Sequence, residues 1–352
     1  MPDTIRAFFL AEGEQTADAV MARLASFIKA ARRTLEFALY DMRLSEPLKA
    51  QLLAVLRERA ASGVQIRICY DGDKPLKPNL AVGQDPASAG TSAQVESLGF
   101  PSRRIAGMKL MHNKFIVRDG ASVWTGSLNL TDQAFTLMEN NVVEIDSPEL
   151  AASFMKDFEE LWEKQNFEET GNIATSAVPL TFAGQRATAQ VMFSPGRGLD
   201  IDTEIARRLH AATRRVRICS LLLNSGTLIN ALLDLLNAGR VSVSGVYDRT
   251  QMADVFRQWQ GVPSNHWKTP AIADIVARAK LAGKNSTPYS PTGRHDFMHN
   301  KILVIDDTVI TGSYNFSRSA QFNAENILFL ESAALAEIYS KYIDHVVQKY
   351  AR

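Results

Sequence analysis

Two cysteines in 352 residues are too few for a disulfide framework, and they lack the spacing of a metal-binding pair. Cys69 and Cys219 each lie in an apolar run and read as buried, reduced thiols. Net charge is nearly absent: a formal +1 excludes a bulk field for polyanions or anionic membranes. Long apolar runs are missing too. The opening MPDTIRAFFLAEGEQ has an apolar run too short for the core of an export signal. No window approaches the roughly eighteen apolar residues of a membrane span. These absences predict a soluble, cytoplasmic globular protein, long enough for two domains of ordinary size.

What the chain does have is a repeat. Met111-His112-Asn113-Lys114 returns 187 residues later as Met298-His299-Asn300-Lys301. The two copies continue as MHNKFIVRDGASVWTGSLNLT and MHNKILVIDDTVITGSYNFS. Each reads His-x-Lys-x4-Asp, then Gly-Ser-x-Asn, then Glu-Asn ten residues after that asparagine. Polar identities persist while the apolar residues between them drift, the reverse of what a purely structural repeat requires. His to Gly spans 14 residues in the first copy and 13 in the second, a difference that one residue in a turn absorbs.

Other elements fall into register around the motifs. The run from Ala30 matches the run from Ala211, each a helix end followed by an apolar strand. Helices over Leu48–Ala60 and Leu228–Ala238 end before Gly63 and Gly239, as C-caps would. Strands ending at Asp71 and Asp248 follow. After the motifs come helices over 147–164 and 332–350. The first has an apolar face of Leu150, Phe154, Phe158, Leu161 and Trp162. In the second the face is Leu335, Ile338, Tyr339, Ile343 and Val347. Each motif reads as a β-hairpin turning at Asp119-Gly120 or Asp306-Asp307. Alternation along a strand puts His112 and Lys114 on one face. The aperiodic stretch between the halves reads as a linker. The expected domains are 1–166 and 190–352, joined by 167–189.

Paired half-sites of this composition suit phosphodiester cleavage. That reaction needs a nucleophile, an acid for the leaving oxygen, and donors for the phosphoryl oxygens. If the halves pair about a pseudo-two-fold axis, His112 and His299 face each other across one phosphate. One attacks phosphorus to give a phosphohistidine while the other protonates the leaving alkoxide, and the second then activates water. Lys114 and Lys301 would hold the equatorial oxygens, with Ser127, Asn129, Ser313 and Asn315 as further donors. Glu139 and Glu325 would bond the histidine ring nitrogens and fix the tautomers. Asp119 and Asp306, at the hairpin turns, are assigned a structural role, capping the turn or pairing a backbone or basic group.

These residues resemble the phospholipase D superfamily, whose signature is a duplicated His-x-Lys-x4-Asp followed by Gly-Ser-x-Asn. The resemblance covers almost the whole chain. It implies an α/β fold of two similar domains, each a mixed sheet flanked by helices, related by pseudo-two-fold symmetry and sharing one active site. It also implies hydrolysis through a phosphohistidine without metal or cofactor, with His112 favoured as nucleophile. The second copy looks most like the bacterial nuclease and cardiolipin-hydrolase branch, as if its homodimer were fused into one chain.

The substrate is read from charge placement. Lys/Arg outnumber Asp/Glu by five to two from Lys74 to Met111 and by seven to three from Arg249 to Phe297. The second stretch carries Arg257, Trp259, His266, Trp267, Lys268, Arg278, Lys280, Lys284 and Arg294. Basic residues mixed with aromatics suit single-stranded nucleic acid, so a nuclease is placed first. A phospholipase, cardiolipin hydrolase or phosphatidyltransferase is the alternative, and a non-catalytic phosphate-binding scaffold a minor third. His295 reads as a loop residue, and His210 and His345 as ordinary surface or interface residues. No obligatory protein partner is expected: a monomer holds a complete site, and a homodimer is compatible with it.

Overall fold

The computed structural model describes residues 4–71, 90–291 and 293–351. Nine strands belong to the first half: β1 (Ile5–Leu10), β2 (Thr34–Leu39), β3 (Met42–Arg43), β4 (Gln65–Asp71), β5 (Ser102–Ile105), β6 (Lys114–Arg118), β7 (Ser122–Gly126), β8 (Leu130–Thr131) and β9 (Asn140–Asp146). Eight follow: β10 (Val178–Phe182), β11 (Gln185–Ser194), β12 (Arg215–Ser220), β13 (Ser242–Asp248), β14 (Ala282–Lys284), β15 (Lys301–Ile305), β16 (Thr308–Gly312) and β17 (Glu325–Glu331). The first large sheet has the order β1-β9-β7-β6-β2-β4-β5 and the second β10-β11-β17-β16-β15-β12-β13-β14. Strand for strand the two orders coincide, with β10 added at one edge. In both, the strands flanking the motif hairpin are antiparallel, while β2-β4-β5 and β12-β13-β14 are parallel. Mixed sheets with helices on both faces confirm the expected fold class.

The hairpins form as read. β6 and β7 join through Asp119-Gly120-Ala121, β15 and β16 through Asp306-Asp307. Asp119, Gly120 and Asp306 take positive φ, as tight hairpin turns require. The first turn is longer by one residue, which accounts for the differing His-to-Gly spacing. The stretch expected to be a linker is partly regular. Its second half forms β10 and the start of β11, and Thr4 bonds Thr181 across the seam between the sheets. Aperiodic polarity hid a strand at a sheet edge, where burial imposes little pattern.

Packing makes five layers. Helices of the first half cover the outer face of the first sheet around Leu24, Phe27, Leu52 and Trp124. Those of the second half cover the other outer face around Ile205, Leu232, Trp259 and Ile275. The helices Pro148–Lys164 and Ala333–Tyr350 lie between the sheets, in one core shared by both halves. Phe154 meets Phe115 of its own sheet at 5.1 Å and Phe193 of the other at 5.3 Å. Tyr342 stacks on Phe9 at 4.4 Å. The face expected on the last helix needs one correction. Ile338 is exposed, and Tyr342 and Val346 complete the buried stripe with Leu335, Tyr339 and Ile343. A helix wedged between two sheets buries a wider arc than a surface helix, so the stripe was set too narrow. Cys69 and Cys219 are buried free thiols in non-equivalent strands. No described helix is long and apolar enough to cross a membrane.

Candidate active site

β6 and β15 begin at the motif lysines, so each histidine sits just ahead of its strand, on the seam between halves. That lead-in is bonded to the opposite half. The His112 amide donates to Ala324 O at 2.8 Å, Ala324 N to Leu110 O at 2.8 Å, and Glu139 N to Phe297 O at 3.0 Å. Two aspartates anchor the same segments: Asp71 accepts from Met111 N and Asp248 from Met298 N, each at 2.9 Å. The sequence marked them only as strand ends. Their equivalent positions, each at the end of the second strand before its motif strand, were the available signal.

Two reciprocal bonds lock the halves beneath the histidines. Thr125 Oγ1 donates to Asn326 Oδ1 at 2.9 Å, and Asn141 Nδ2 donates to Thr311 Oγ1 at 2.8 Å. All four residues are fully buried. These pairs fix the pseudo-two-fold correspondence: Thr125 with Thr311, and Asn141 with Asn326. Strand pairing agrees, since Gly126 faces Val142 and Gly312 faces Ile327. Both glycines are at positive φ, and a Cβ there would lie 2.2 Å from Asn141 O and 2.3 Å from Asn326 O. The Gly of Gly-Ser-x-Asn therefore answers to a close backbone crossing.

This correspondence corrects the reading of Glu139. Its structural counterpart is Ala324, and the counterpart of Glu325 is Asn140. His112 Nδ1 bonds Glu325 Oε2 at 2.7 Å, as expected. His299 Nδ1 instead bonds Asn140 Oδ1 at 2.9 Å. The Asn140 amide is oriented by its other contacts: Nδ2 donates to Ala134 O at 3.1 Å, and Ser127 Oγ donates to Oδ1 at 2.8 Å. Its oxygen therefore faces the ring and accepts the Nδ1 proton. Glu139 is fully buried but faces away, bonded by Tyr350 OH at 2.5 Å, Lys349 Nζ at 3.1 Å and Glu12 N at 3.1 Å. It ties the last helix to the first strand. The ten-residue spacing from Asn to Glu in both copies was a coincidence of register. Counting back from Ser147 and Ser332, which cap the following helices, would have exposed it.

The serines also differ from expectation. Ser127 and Ser313 are fully buried and do not line the cleft. Ser127 supports Asn140, and Ser313 Oγ accepts from Asn326 N at 3.0 Å. Both hydroxyls are thus spent inside the seam, on the Asn140 side chain in the first half and on the Asn326 backbone in the second. Asn129 and Asn315 do line the cleft, and each keeps a carboxamide oxygen without a hydrogen-bond partner. Lys114 Nζ donates to His112 O at 2.7 Å and Lys301 Nζ to His299 O at 2.6 Å. Tyr40 packs edge-on to His112 at 4.6 Å, with Lys114 Nζ 4.7 Å from its ring centre. Asp119 and Asp306 take the structural role assigned to them. Asp119 accepts from the amides of Arg32, Arg33 and Thr34, and Asp306 from those of Thr213, Arg214 and Arg215. Both clamp the loop before the neighbouring strand.

Burial dominates the electrostatics. It pushes both imidazoles well below the ordinary histidine value, and the charges of Lys114 and Lys301 push the same way. It lowers Lys114 to about 7 against the pull of Glu325. Lys301 is held well below the ordinary lysine value, through burial and then Lys114. Burial also raises Glu325 to about 8, with Lys114 and the Asn323 amide opposing. A proton between His112 and Glu325 belongs to the pair. An anion set against both lysines would restore their charge.

His112, His299, Asn129 and Asn315 share a cleft of about 660 Å³ with apolar residues including Leu221, Leu222, Val255, Trp259, Val262 and Phe322. The basic stretches do not line it as expected. Arg257 pairs with Asp254, Arg278 with Asp274, Lys284 with Glu12, and Arg294 with Asp296. Trp259 is 6% exposed, closed to base stacking, and the exposed Trp267 lies off the cleft. Among the described lysines and arginines of the two stretches, Lys109 and Lys268 reach it. Lys74 and Lys77 fall outside the described residues. His295 forms part of the wall, bonded to Ser290 O at 2.7 Å and stacked on Phe297. His210 and His345 pair with Asp234 and Glu14 at the surface. Among the described residues, no cluster of three or more His, Cys, Asp or Glu could hold a metal ion.

Comparison with known proteins agrees with the duplication. The family model described as "Cardiolipin synthase, PLD-like domain" matches twice, at residues 24–162 and 205–347. The mitochondrial cardiolipin hydrolase of Xenopus laevis is 32% identical over 147 residues, covering 42% of this chain and 63% of that protein. The chain thus spans less than two thirds of that relative's length. Cardiolipin synthase A of Pseudomonas fluorescens is 24% identical over 343 residues, covering 94% of this chain and 66% of the other. Among solved structures, phosphatidylserine synthase of Haemophilus influenzae superposes with a TM-score of 0.66 at 12% identity, over 99% of this chain and 86% of its own. That last likeness shows the fold alone.

Proposed function

The chain belongs to the phospholipase D-like family, and from that premise we propose that it is a phosphodiesterase that cleaves phospholipid head-group phosphodiesters through a phosphohistidine on His112. The observation that carries the mechanism is the unequal pairing of two histidines in one cleft, His112 with a carboxylate and His299 with an amide. In the first step His112 Nε2 attacks phosphorus and the bond to the head-group oxygen breaks. His299, protonated on Nε2, gives its proton to that oxygen. Glu325 faces the ring that becomes cationic, which stabilises the covalent intermediate. In the second step His299 takes a proton from water, the hydroxide oxygen bonds phosphorus, and the P–N bond breaks. Lys114, Lys301, Asn129 and Asn315 supply positive charge and donors around the phosphoryl oxygens. The site is complete within one chain, so a monomer suffices.

Phospholipid replaces nucleic acid as the favoured substrate. The argument for a nuclease rested on basic and aromatic residues, of which Arg257, Arg278, Lys284 and Arg294 are ion-paired, Trp259 is buried, and His266, Trp267 and Lys280 lie off the cleft. The apolar cleft wall suits acyl-glycerol better than bases. The two curated relatives are a cardiolipin hydrolase and a cardiolipin synthase by name. The test incubates the protein, with EDTA present, with cardiolipin vesicles, phosphatidylglycerol vesicles and single-stranded DNA. Lipid cleavage is expected, abolished in His112→Ala. In His299→Ala, a substrate with a good leaving group should leave phosphate trapped on His112, seen by acid-quench labelling. Cleavage of DNA and not lipid would reverse the substrate assignment, and label trapped in His112→Ala would reverse the histidine roles.

A further inference from the structure

The two cleft walls are built from equivalent segments yet carry different charge. On the first-half wall, Met42 pairs with Leu130; on the second, Leu223 pairs with Phe316. Asn224 therefore stands where Arg43 stands, and Arg318 where Asp132 stands. In this segment the first wall is internally neutralised, because Arg43 is gripped by Asp41 through bonds of 2.9 and 2.8 Å, and Lys109 is the other described first-half lysine or arginine at the cleft. The second wall is not. Arg318 is exposed at the cleft, and among the described residues no carboxylate lies within ion-pair distance of it. Beside it, Lys268 opens the helix Lys268–Arg278 and is only 7% exposed. Its Nζ sits 5.4 Å from the Trp259 ring centre and 3.5 Å from Asn224 O, again with no carboxylate in reach. Asp254 on the same wall is taken by Arg257.

Lys268 is thus a cation in three unfavourable places at once. It is buried, it is beside another cation, and it is at the positive end of a helix. Burial and the Arg318 charge hold its pKa below the ordinary lysine value. An anion would relieve all three penalties. Resting on the phospholipid reading above, we propose that Lys268 and Arg318 form a second anion subsite in the cleft. It receives the second phosphate of a lipid head group that carries two phosphodiesters, while His112 and His299 engage the first. The charge asymmetry of the walls makes the substrate bind in one direction. Leu222, Val255, Val262 and Trp259 flank the subsite, an apolar setting that favours a lipid over a polynucleotide.

Binding without turnover separates this subsite from the hydrolase reading. Calorimetry on His112→Ala protein would compare glycerol 1,3-bisphosphate with glycerol 1-phosphate, in that background and with Lys268→Met or Arg318→Gln added. The bisphosphate should bind about tenfold tighter. Either added variant should remove most of that gain and leave glycerol 1-phosphate within about twofold. Arg318→Gln is at an exposed position and does not endanger folding. Equal affinity for the two ligands, or a gain that survives both variants, overturns the subsite. A thymidine dinucleotide with two phosphates that binds tighter than the bisphosphate, and loses that affinity in the same variants, overturns its assignment to lipid. If vesicles are not cleaved but the bisphosphate preference holds, the hydrolase reading fails and the subsite stands.

Discussion

Replacing Glu325 by Gln tests the unequal histidine roles most directly. The side chain keeps its size, and a buried amide carries no charge-burial cost, so the fold should hold. What is lost is a carboxylate 2.7 Å from the ring that becomes cationic on phosphorylation. A hydrogen bond to a charged group contributes about 1.5–3 kcal/mol and the neutral one that Gln keeps about 0.5–1.5, so the midpoints put the low estimate of the loss at about 1.3 kcal/mol. The upper bound is the attraction of unit charges near 4 Å at an effective dielectric of 20, about 4 kcal/mol. At 1.36 kcal/mol per decade, the rate of phosphoenzyme formation should fall by roughly 10- to 1,000-fold. The pH profile supplies direction. The proton that must leave before attack belongs to the His112–Glu325 pair, so the acid limb reports the pair; Gln removes the carboxyl that burial raises to about 8 and moves the limb to lower pH. Asn140→Asp places a carboxylate on His299, whose protonated form the first step needs. Its pKa rises and the basic limb moves up. Stopped-flow or quenched-flow rates from pH 5 to 9 check both. A rate within threefold of the parent in Glu325→Gln, or a Glu325→Gln shift confined to the basic limb, refutes the reasoning.

Asp119→Ala removes a carboxylate accepting from three backbone amides and should cost about 2–4 kcal/mol of stability, with turnover of the folded protein unchanged; thermal unfolding and kcat measure the two. Burial opposes ionisation of Asp119, but those amides and Arg118 hold its pKa below the ordinary value, so its contribution is full at neutral pH and lost as pH falls through that folded-state value. An equal loss of stability at pH 7 and pH 2 would contradict this. Gly126→Ala or Gly312→Ala should prevent stable folding, because the added Cβ meets a backbone oxygen at 2.2 or 2.3 Å; a variant with the parent's melting temperature would show that the strands can part. Inorganic phosphate binding at pH 9 should take up protons, since burial holds Lys114 near 7 and Lys301 well below the ordinary lysine value, and an anion raises both. Calorimetry in buffers of different ionisation enthalpy reads that uptake, and a buffer-independent heat would count against it.

How far the sequence could be read depends on where side chains meet water. The motif hairpins, the buried strands and the capped helices were legible, because their apolar period and turn residues follow from local geometry. The histidines, lysines and asparagines were legible because two copies of rare polar identities stand out against drifting apolar neighbours. β10 was not, since an edge strand has little burial to mark it. The partners of the histidines were misread for a more instructive reason. The offset between copies is 187 residues at His112 and His299, 186 at Gly126 and Gly312, and 185 at the helix-capping Ser147 and Ser332. One residue is lost in the hairpin turn and another between the asparagine and the next strand. Glu139 and Glu325 align at the middle offset, but the strand that delivers the partner residue runs at the last one. There Asn140 meets Glu325, and the symmetry of the catalytic pair is broken by a single position. A duplicated site could carry a carboxylate on both histidines. This chain has one carboxylate and one amide, with Ser127 fixing the amide's direction. Under the proposed mechanism the difference gives each histidine a separate task from the outset: the carboxylate stabilises the ring that becomes bonded to phosphorus, and the amide keeps its partner acidic enough to release a proton.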